Sequence, residues 1–299
     1  MEALVKLSFY AFTAATIALV SASVCYIVQA VGQVRVRRAM LATSTGQTVT
    51  THSAEFGPGS ESLGRYGTML GWFAVVFQGL SILLRSWAAE AGPANMYEFS
   101  LVFIFAVALI YLLFERNYGV RHLGAIVMPI AVGMAAYVYS LPVSEREVDP
   151  LIPALQNKPL LTIHVGVAIF AYASFSVAFA AAVLYLFNHR RRISWLPSPE
   201  LLDDMGYRAI TIGFPLMALV LILGSVWAHE AWGSYWSWDP KETSALFLWL
   251  IYGVYLHTRT LRGWRGTRSA WILIFGFGAT LFTYYGNYFF GGLHAYGGV

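Results

Sequence analysis

The sequence predicts an all-α polytopic membrane protein, and its composition, its hydropathy and the length of its apolar runs all indicate this class. Of the 299 residues, 58% are hydrophobic and only 11% are charged, and the mean hydropathy is +0.60. So few charged side chains cannot cover a soluble globule of this size. Several apolar runs are close to the roughly 20 residues that a helix needs to cross a bilayer. We find no internal repeat, so residues 1–299 are predicted to form a single integral membrane domain.

About eight transmembrane helices are predicted, one from each apolar run. The runs cover residues 7–31, 66–86, 97–114, 123–140, 160–187, 207–228, 243–256 and 269–288. The seventh run is short, but a helix that starts after a cap at Asp239 and continues to His257 comes close to spanning length. The first run lacks a small-residue cleavage site, so we interpret it as a span and not as a signal peptide that is removed.

The basic residues predict the orientation, because cytoplasmic connections carry the excess of Lys and Arg. Fourteen of the nineteen basic residues lie on the connections that follow the first, third, fifth and seventh runs. Both termini are therefore predicted to be extracytoplasmic, as is the connection between helices six and seven. The inner connection 39–64 is rich in Ser, Thr and Gly, which predicts a flexible cytoplasmic loop. The net charge of +4 follows from the same bias and does not indicate binding to nucleic acid.

The tryptophan segment, residues 227–242, has the sequence W-A-H-E-A-W-G-S-Y-W-S-W-D-P-K-E and holds four of the ten tryptophans. An anchoring belt spreads aromatic rings over many helix ends, whereas this density on one connection predicts a platform for a flat ligand. The rings concerned are those of Trp227, Trp232, Tyr235, Trp236 and Trp238.

The same segment is predicted to be a loop that ends in a defined helix start. Gly233 and Ser234 break the helical pattern. Asp239, Pro240 and Glu242 then form the pattern of an N-cap, a first-turn proline and a capping-box acid. This structural role is sufficient to explain Asp239, so contact with a ligand would be an additional role.

Two histidines are predicted to lie level with the tryptophan segment on the outer side. His164 is one turn inside helix five, and His294 follows helix eight in a glycine-rich stretch. Neutral imidazole is a common axial ligand of haem iron, and two such rings beside an aromatic platform would hold a planar macrocycle. Spacing alone also fits interfacial histidines that are solvated by water.

The other polar residues of the spans give weaker indications. His257 lies eighteen residues after Asp239, roughly 27 Å further along the helix axis, so it cannot share a site with His164. It either reaches the cytoplasmic interface or ligates a second haem, for which this chain offers no partner ligand at that depth. His229 is most simply an interfacial histidine, and Glu98 is sufficiently explained by the positive end of helix three. No nucleotide-binding P-loop or hydrolase motif occurs.

Four stretches in this order resemble the CcsA (ResC) family of cytochrome c biogenesis proteins. They are the tryptophan segment, L-T-I-H-V at His164, Y-L-H-T-R at His257 and G-L-H-A-Y-G at His294. The tryptophan-rich WWD signature is shared with a wider haem-handling superfamily that includes CcmC and CcmF, whereas the histidine pattern and N-M-Y-E-F fit CcsA best. The resemblance runs from about Tyr66 to the end of the chain. His229 departs from it, because relatives commonly have asparagine there.

The resemblance implies a subunit of the system II cytochrome c synthase in a bacterial plasma membrane or a thylakoid-type membrane. With a CcsB (ResB) partner, it would move haem b outward and attach it through thioethers to the CxxCH motif of an apocytochrome c. His164 and His294 would be axial ligands of the outer haem, which residues 227–239 would also bind. His257 would ligate an inner haem together with a residue of the partner. Whether a thioredoxin-like protein supplies reductant stays open.

Two other functions stay open at this point. A haem exporter or chaperone of the CcmC kind would present haem without forming thioether bonds. A bis-His electron-transfer subunit would need both ligands of an inner haem on facing helices of one chain, and this sequence lacks the second. A synthase mainly binds and orients its reactants, so no catalytic dyad is expected beyond the groups that position haem.

Overall fold

A computed structural model of the chain describes residues 2–43, 58–89, 95–146, 158–191, 196–286 and 290–294. Within these ranges the regular structure is helical, and the eight long helices are labelled α1 to α8. They are α1 (Glu2–Thr43), α2 (Pro58–Ala89), α3 (Met96–Tyr118), α4 (Gly124–Ser140), α5 (Lys158–Arg191), α6 (Pro199–Trp232), α7 (Pro240–Leu261) and α8 (Thr267–Tyr285). A 3₁₀ turn at Arg121–Leu123 precedes α4, and a four-residue helix at Val143–Arg146 follows it.

Helices α1 to α6 are long and apolar enough to cross a membrane, as judged by length and composition among the described residues. The eight predicted apolar runs lie on the eight long helices in order, although residues 287–288 at the end of the last run fall outside the described residues. Eight spans were predicted, and six of the described helices meet this measure. Helices α7 and α8 do not, because they carry more polar and aromatic residues.

The inner loop predicted at 39–64 is shorter than expected. Helix α1 continues through Thr43 and α2 begins at Pro58, so both ends of the predicted loop are helical. Residues 44–57, which include the Ser- and Thr-rich stretch, lie outside the described residues. The polar composition of 39–43 and 58–64 therefore does not stop these residues from extending the helices beyond their apolar runs.

The helices form two groups of four that meet along α3 and α5. Helices α1 to α4 pack against one another, as do α5 to α8, and α5 also packs against α3. Much of the buried face of α5 consists of small residues, including Ala173, Ser174 and Ala178, none of which is exposed. Small side chains let helices approach closely, which drives packing where lipid removes the hydrophobic force between helices. Helix α5 thus forms the centre of the bundle.

Adjacent helices run in opposite directions, so the bundle has two ends. We call the end with the last turn of α6 and the first turn of α7 the site end, and the other the opposite end. At the site end, Arg85 of α2 forms a buried ion pair with Glu98 of α3, with Nε and Oε1 2.9 Å apart. The backbone N–H of Glu98 donates to the side chain of Asn95, which caps the helix. The Glu98 side chain therefore has an ion-pair partner, Arg85, in addition to its favourable position at the positive end of the helix.

A second buried carboxylate, Glu115, organises the opposite end. Its Oε2 accepts hydrogen bonds of 2.6 Å from the hydroxyls of Tyr26 and Tyr111. Its Oε1 accepts one from Thr68 and lies 3.4 Å from Arg121 Nε. These five residues, the Glu115 cluster, connect α1, α2, α3 and the 3₁₀ turn. A buried charge is stable only with such partners, so the cluster holds these elements together.

Candidate functional site

A cavity opens at the site end between α3, α5, α6, α7 and α8. The empty space inside its outline, which includes open solvent at the mouth, is about 1000 Å³. Binding sites for small molecules and cofactors usually have mainly apolar walls with a few polar groups. This cavity has that character, since Phe99, Ile169, Val220 and similar side chains surround a small set of polar groups that includes His164 and His294.

His164 enters the cavity from the first turns of α5. Its Nδ1 atom is buried and has no hydrogen-bond partner. The ring packs against α6 at Gly224, where an added Cβ would lie 2.8 Å from His164 Cε1. Only glycine leaves room for the ring at that point. The His164 ring therefore has room beside Gly224, and its Nδ1 atom has no hydrogen-bond partner in the protein.

His294 is held from behind by Asp239, the N-cap of α7. Its Nδ1 lies 2.8 Å from Asp239 Oδ1, and since a carboxylate can only accept, Nδ1 carries the proton and Nε2 the lone pair. A carboxylate behind a histidine fixes the ring and increases the basicity of its other nitrogen. Asp239 thus fixes the orientation of the His294 ring and leaves Nε2 on the side away from the carboxylate.

Asp239 also joins the stretch 290–294 to the start of α7. Its Oδ1 accepts from the backbone N–H of Lys241 at 2.9 Å, and its Oδ2 accepts from that of Leu293 at 2.7 Å. Burial acts to raise the pKa of Asp239, but the hydrogen bonds from His294, Lys241 and Leu293 outweigh it and lower the pKa to about 2. The carboxylate is therefore charged at neutral pH.

A glycine makes this docking possible. Gly292 has φ of 155°, a value that L side chains rarely adopt. A Cβ at this position would overlap Asp239 Oδ2. The stretch can therefore approach the carboxylate only with glycine here, which places His294 beside the cavity.

Trp227 contacts both histidines. It is 2% exposed, and its ring centroid is 6.5 Å from that of His164 and 5.6 Å from that of His294. The Trp227 plane is nearly parallel to the His164 ring, at 13°. Trp232 packs edge-on against Trp227 at 5.0 Å and against His294 at 5.1 Å. His164, His294, Trp227 and Trp232 therefore form one aromatic group.

The remaining rings of the tryptophan segment do not join this group as a single surface. Trp236 lines the cavity, but Tyr235 is 57% exposed and stacks on His229, with centroids 4.1 Å apart. Trp238 is 69% exposed and contacts the Trp236 ring edge-on at 5.6 Å. Of the five predicted rings, Trp227 and Trp236 thus line the cavity, Trp232 packs against Trp227 and His294, and the other two are on the outside.

The tryptophan segment is also less of a loop than predicted. Helix α6 continues through Trp232 and ends at Gly233, which adopts a left-handed φ of 78°. Trp227 and Trp232 therefore stand on a helix, and the connection is limited to residues 233–239. The predicted start of the next helix is confirmed, with Asp239 as N-cap, Pro240 in the first turn and Glu242 completing a capping box.

His257 is not part of this site. It lies in the last turns of α7 at the opposite end, and its side chain is exposed on the surface of the bundle. Its predicted separation from His164 along the helix axis agrees with this placement.

Two cavity residues escaped the sequence-based prediction as ligand contacts, and both belong to the first turn of α7. Lys241 lines the cavity, as does Glu242. The Glu242 Oε1 atom is buried without a partner, while Oε2 accepts from the backbone N–H of Ser237 at 2.8 Å. The sequence could have indicated Lys241, because a lysine in the first turn lies unfavourably close to the positive end of the helix dipole. Such a residue calls for a reason other than helix stability.

Comparison with known proteins relates this architecture to cytochrome c biogenesis. Residues 94–294 match a family model described as "Cytochrome C assembly protein". The "Cytochrome c biogenesis protein CcsA" of Chlamydomonas reinhardtii is 38% identical, over 68% of this chain and 60% of the relative. The protein of the same description from Synechococcus elongatus is 35% identical, over 73% and 83% of the two chains. That from Mesostigma viride is 33% identical, over 78% and 86%.

A solved structure shares the fold. The "Cytochrome c Heme Lyase CcmF" superposes with a TM-score of 0.66, covering 94% of this chain and 46% of that chain at 16% sequence identity. The helical bundle and the matched family define the chain as a multi-pass membrane protein of the cytochrome c assembly class. Given the relatives at 33–38% identity over most of its length, the chain belongs to the CcsA family. The family resemblance predicted from the motifs is thereby confirmed.

Proposed function

We propose that this protein binds haem b as its substrate in the site-end cavity and, with a CcsB (ResB) partner, attaches it to the CxxCH motif of an apocytochrome c. The observation that carries the proposal is the pair formed by His164 and His294, which both contact Trp227, with Asp239 accepting a hydrogen bond from His294 Nδ1. Both histidines line a cavity whose walls are mainly apolar.

The available ligands suit iron in a macrocycle better than a bare metal ion. No group of three or more His, Cys, Asp or Glu side chains that could hold a metal occurs among the described residues. Iron in a porphyrin already has four ring nitrogens and needs only one or two axial ligands, for which imidazole is common. His164, with an unpartnered buried nitrogen, and His294, oriented by a carboxylate, match that requirement.

The chain contributes binding and orientation to the reaction. When haem is bound, its vinyl groups supply the reactive carbons: each cysteine thiol adds across one vinyl group, breaking S–H and forming C–S and C–H bonds. The proton ends on carbon, and the addition needs no leaving group and no net electron transfer. Trp227 and Trp236 would restrict the plane in which a flat substrate can lie, Trp232 supports Trp227 and His294, and the apolar walls exclude water.

The proposed partner has a candidate contact at the opposite end. His257 is exposed on α7, where a second membrane protein could cover it and provide the other ligand of an inner haem. The excess of basic residues on the connections at this end supports its assignment to the cytoplasm, with the cavity on the extracytoplasmic side. Haem would then enter near His257 and react at the cavity.

Coexpression of the full chain with a CcsB-type partner and an apocytochrome that carries CxxCH tests the proposed synthase function. We expect covalently attached haem, which remains with the apocytochrome on a denaturing gel. His164→Ala and His294→Ala are expected to abolish it, whereas His229→Ala, a matched control on an exposed histidine near the same end, is expected to leave it unchanged. Haem bound to the wild-type chain without any covalent product would show an exporter or chaperone instead.

A further inference from the structure

Lys241 is a lysine that lines the cavity from the first turn of α7. It also borders a shallow groove on the outside of the bundle, which is lined by Trp238, Phe247, Phe282 and Phe290 among others. The side chain therefore stands where the cavity meets the outer surface. A ligand in the cavity would present its outer edge to this position.

The ammonium of Lys241 forms no ion pair within the described part of the chain, although the negative charge of Asp239 acts on it from a longer distance. Its backbone N–H donates to Asp239 and its carbonyl accepts from Ser244, but no ion pair or hydrogen bond involves Nζ among the described residues. An ammonium in an apolar setting is costly unless it is paired. The cavity therefore contains an unused positive charge.

The two neighbouring carboxylates do not supply the missing partner. Asp239 uses both oxygens for His294, Leu293 and the Lys241 backbone. Glu242 binds the backbone N–H of Ser237 through Oε2, and its Oε1 has no hydrogen-bond partner, so it does not bind Lys241. The ammonium is thus left for a group that comes from outside the chain.

We propose that Lys241 binds a carboxylate substituent of the ligand in the cavity and so selects an anionic macrocycle over a neutral one. The proposal rests on the proposed function, since haem b carries two propionate groups at one edge of the ring. His164 and His294 would hold the iron, while Lys241 would fix which edge of the ring faces the mouth. Lys241 is therefore a specificity-determining residue.

The test compares two ligands that differ in whether the two propionate groups are charged carboxylates or neutral esters. The purified full-length chain is titrated with iron protoporphyrin and with its dimethyl ester, and the ratio of the two dissociation constants is measured. The ratio in Lys241→Met is compared with that in the wild type, which cancels the different partitioning of the two ligands into detergent. Lys6→Met is the control, because Lys6 lies in the first helix and its charge pairs with Glu2 at 2.5 Å on the exposed surface.

We expect the wild type to prefer the free acid by about tenfold more than Lys241→Met does, as for one charge-assisted hydrogen bond. Lys241→Arg is expected to keep the preference, and Lys6→Met to match the wild type. Lys241→Gln gives the same readout if the methionine variant fails to accumulate. An unchanged ratio in Lys241→Met or Lys241→Gln would overturn the proposal, whereas failure of the wild type to bind either macrocycle would overturn the proposed function itself.

Discussion

The two ends of the bundle use a buried carboxylate in contrasting ways. At the opposite end, Glu115 accepts from Tyr26, Tyr111 and Thr68, so its charge is used entirely within the protein. At the site end, Asp239 also accepts several hydrogen bonds, but one of them orients His294 toward a cavity. The comparison shows that a satisfied carboxylate can serve packing alone or can prepare a second residue for a ligand.

The polar atoms around each carboxylate make the same distinction. Around the cavity, His164 Nδ1, Trp232 Nε1 and Glu242 Oε1 are buried without partners, whereas the members of the Glu115 cluster are hydrogen-bonded to one another. Unsatisfied buried groups cost free energy, so a ligand in the cavity would gain by satisfying them, whereas the Glu115 cluster offers no such group. The following predictions test this contrast, from the largest expected effect to the smallest.

Removal of the carboxylate at the opposite end should affect stability alone. Glu115→Ala leaves two buried tyrosine hydroxyls and Arg121 without their acceptor, and we expect a loss of about 2–4 kcal/mol in the free energy of unfolding. The melting temperature of the purified protein in detergent measures this. Glu61→Ala removes an exposed ion pair with Arg65, for which we expect little change in the melting temperature, because exposed pairs contribute little to stability. A changed spectrum of bound haem in Glu115→Ala would contradict the claim that the opposite end serves stability alone.

Removal of the charge at the site end should instead weaken ligand binding. Asp239→Asn keeps an N-cap, since asparagine caps helices about as well as aspartate, but it removes the carboxylate behind His294. We expect haem affinity to fall by about 10–100-fold, as for other residues that orient a metal-ligating histidine. Titration with iron protoporphyrin measures the affinity. Equal affinities in the variant and the wild type would mean that Asp239 acts only as a cap.

Crowding of the His164 ring should have a smaller effect on binding. In Gly224→Ala the new methyl group would lie 2.8 Å from His164 Cε1, so the ring must move, and we expect haem affinity to fall by about tenfold. Gly133→Ala on α4 is the matched control, because no atom lies within 4 Å of its added Cβ. If both alanine variants retain haem equally, the ring at this position is not a ligand.

The depressed pKa of Asp239 predicts how stability depends on pH. Hydrogen bonds from His294, Lys241 and Leu293 outweigh burial and lower the pKa of Asp239 from 3.8 to about 2. Its contribution to stability is therefore complete well above its ordinary pKa of 3.8 and is lost as the pH falls through about 2. We expect the difference in melting temperature between the wild type and Asp239→Asn to be constant from pH 7 to pH 5 and to shrink below pH 4. A difference that shrinks already near pH 6 would contradict this assignment.

Local sequence patterns predicted the helices and the start of α7 well. The apolar runs identified the positions of the eight long helices, and Asp239, Pro240 and Glu242 identified the cap, because both depend on neighbouring residues only. The end of α6 was placed too early, at residue 228, because the polar His229 and Glu230 interrupt the apolar run. The helix ends instead at Gly233, where the left-handed conformation stops it.

Contacts between distant residues could not be predicted in the same way. The hydrogen bond between Asp239 and His294 joins residues 55 positions apart, and the ion pair between Arg85 and Glu98 crosses two helices. The aromatic composition of the tryptophan segment predicted a flat ligand, but it could not separate Trp227 in the core from Trp238 on the surface. That separation depends on how α6 and α7 rotate against α5.

The absorption spectrum of the purified full-length chain after titration with iron protoporphyrin tests the central claim most directly. If His164 and His294 are the axial ligands, the wild type gives a low-spin, six-coordinate spectrum. His164→Ala or His294→Ala then shifts it toward a five-coordinate form, and added imidazole restores it. A wild-type spectrum that persists in the double variant would contradict ligation by these two histidines.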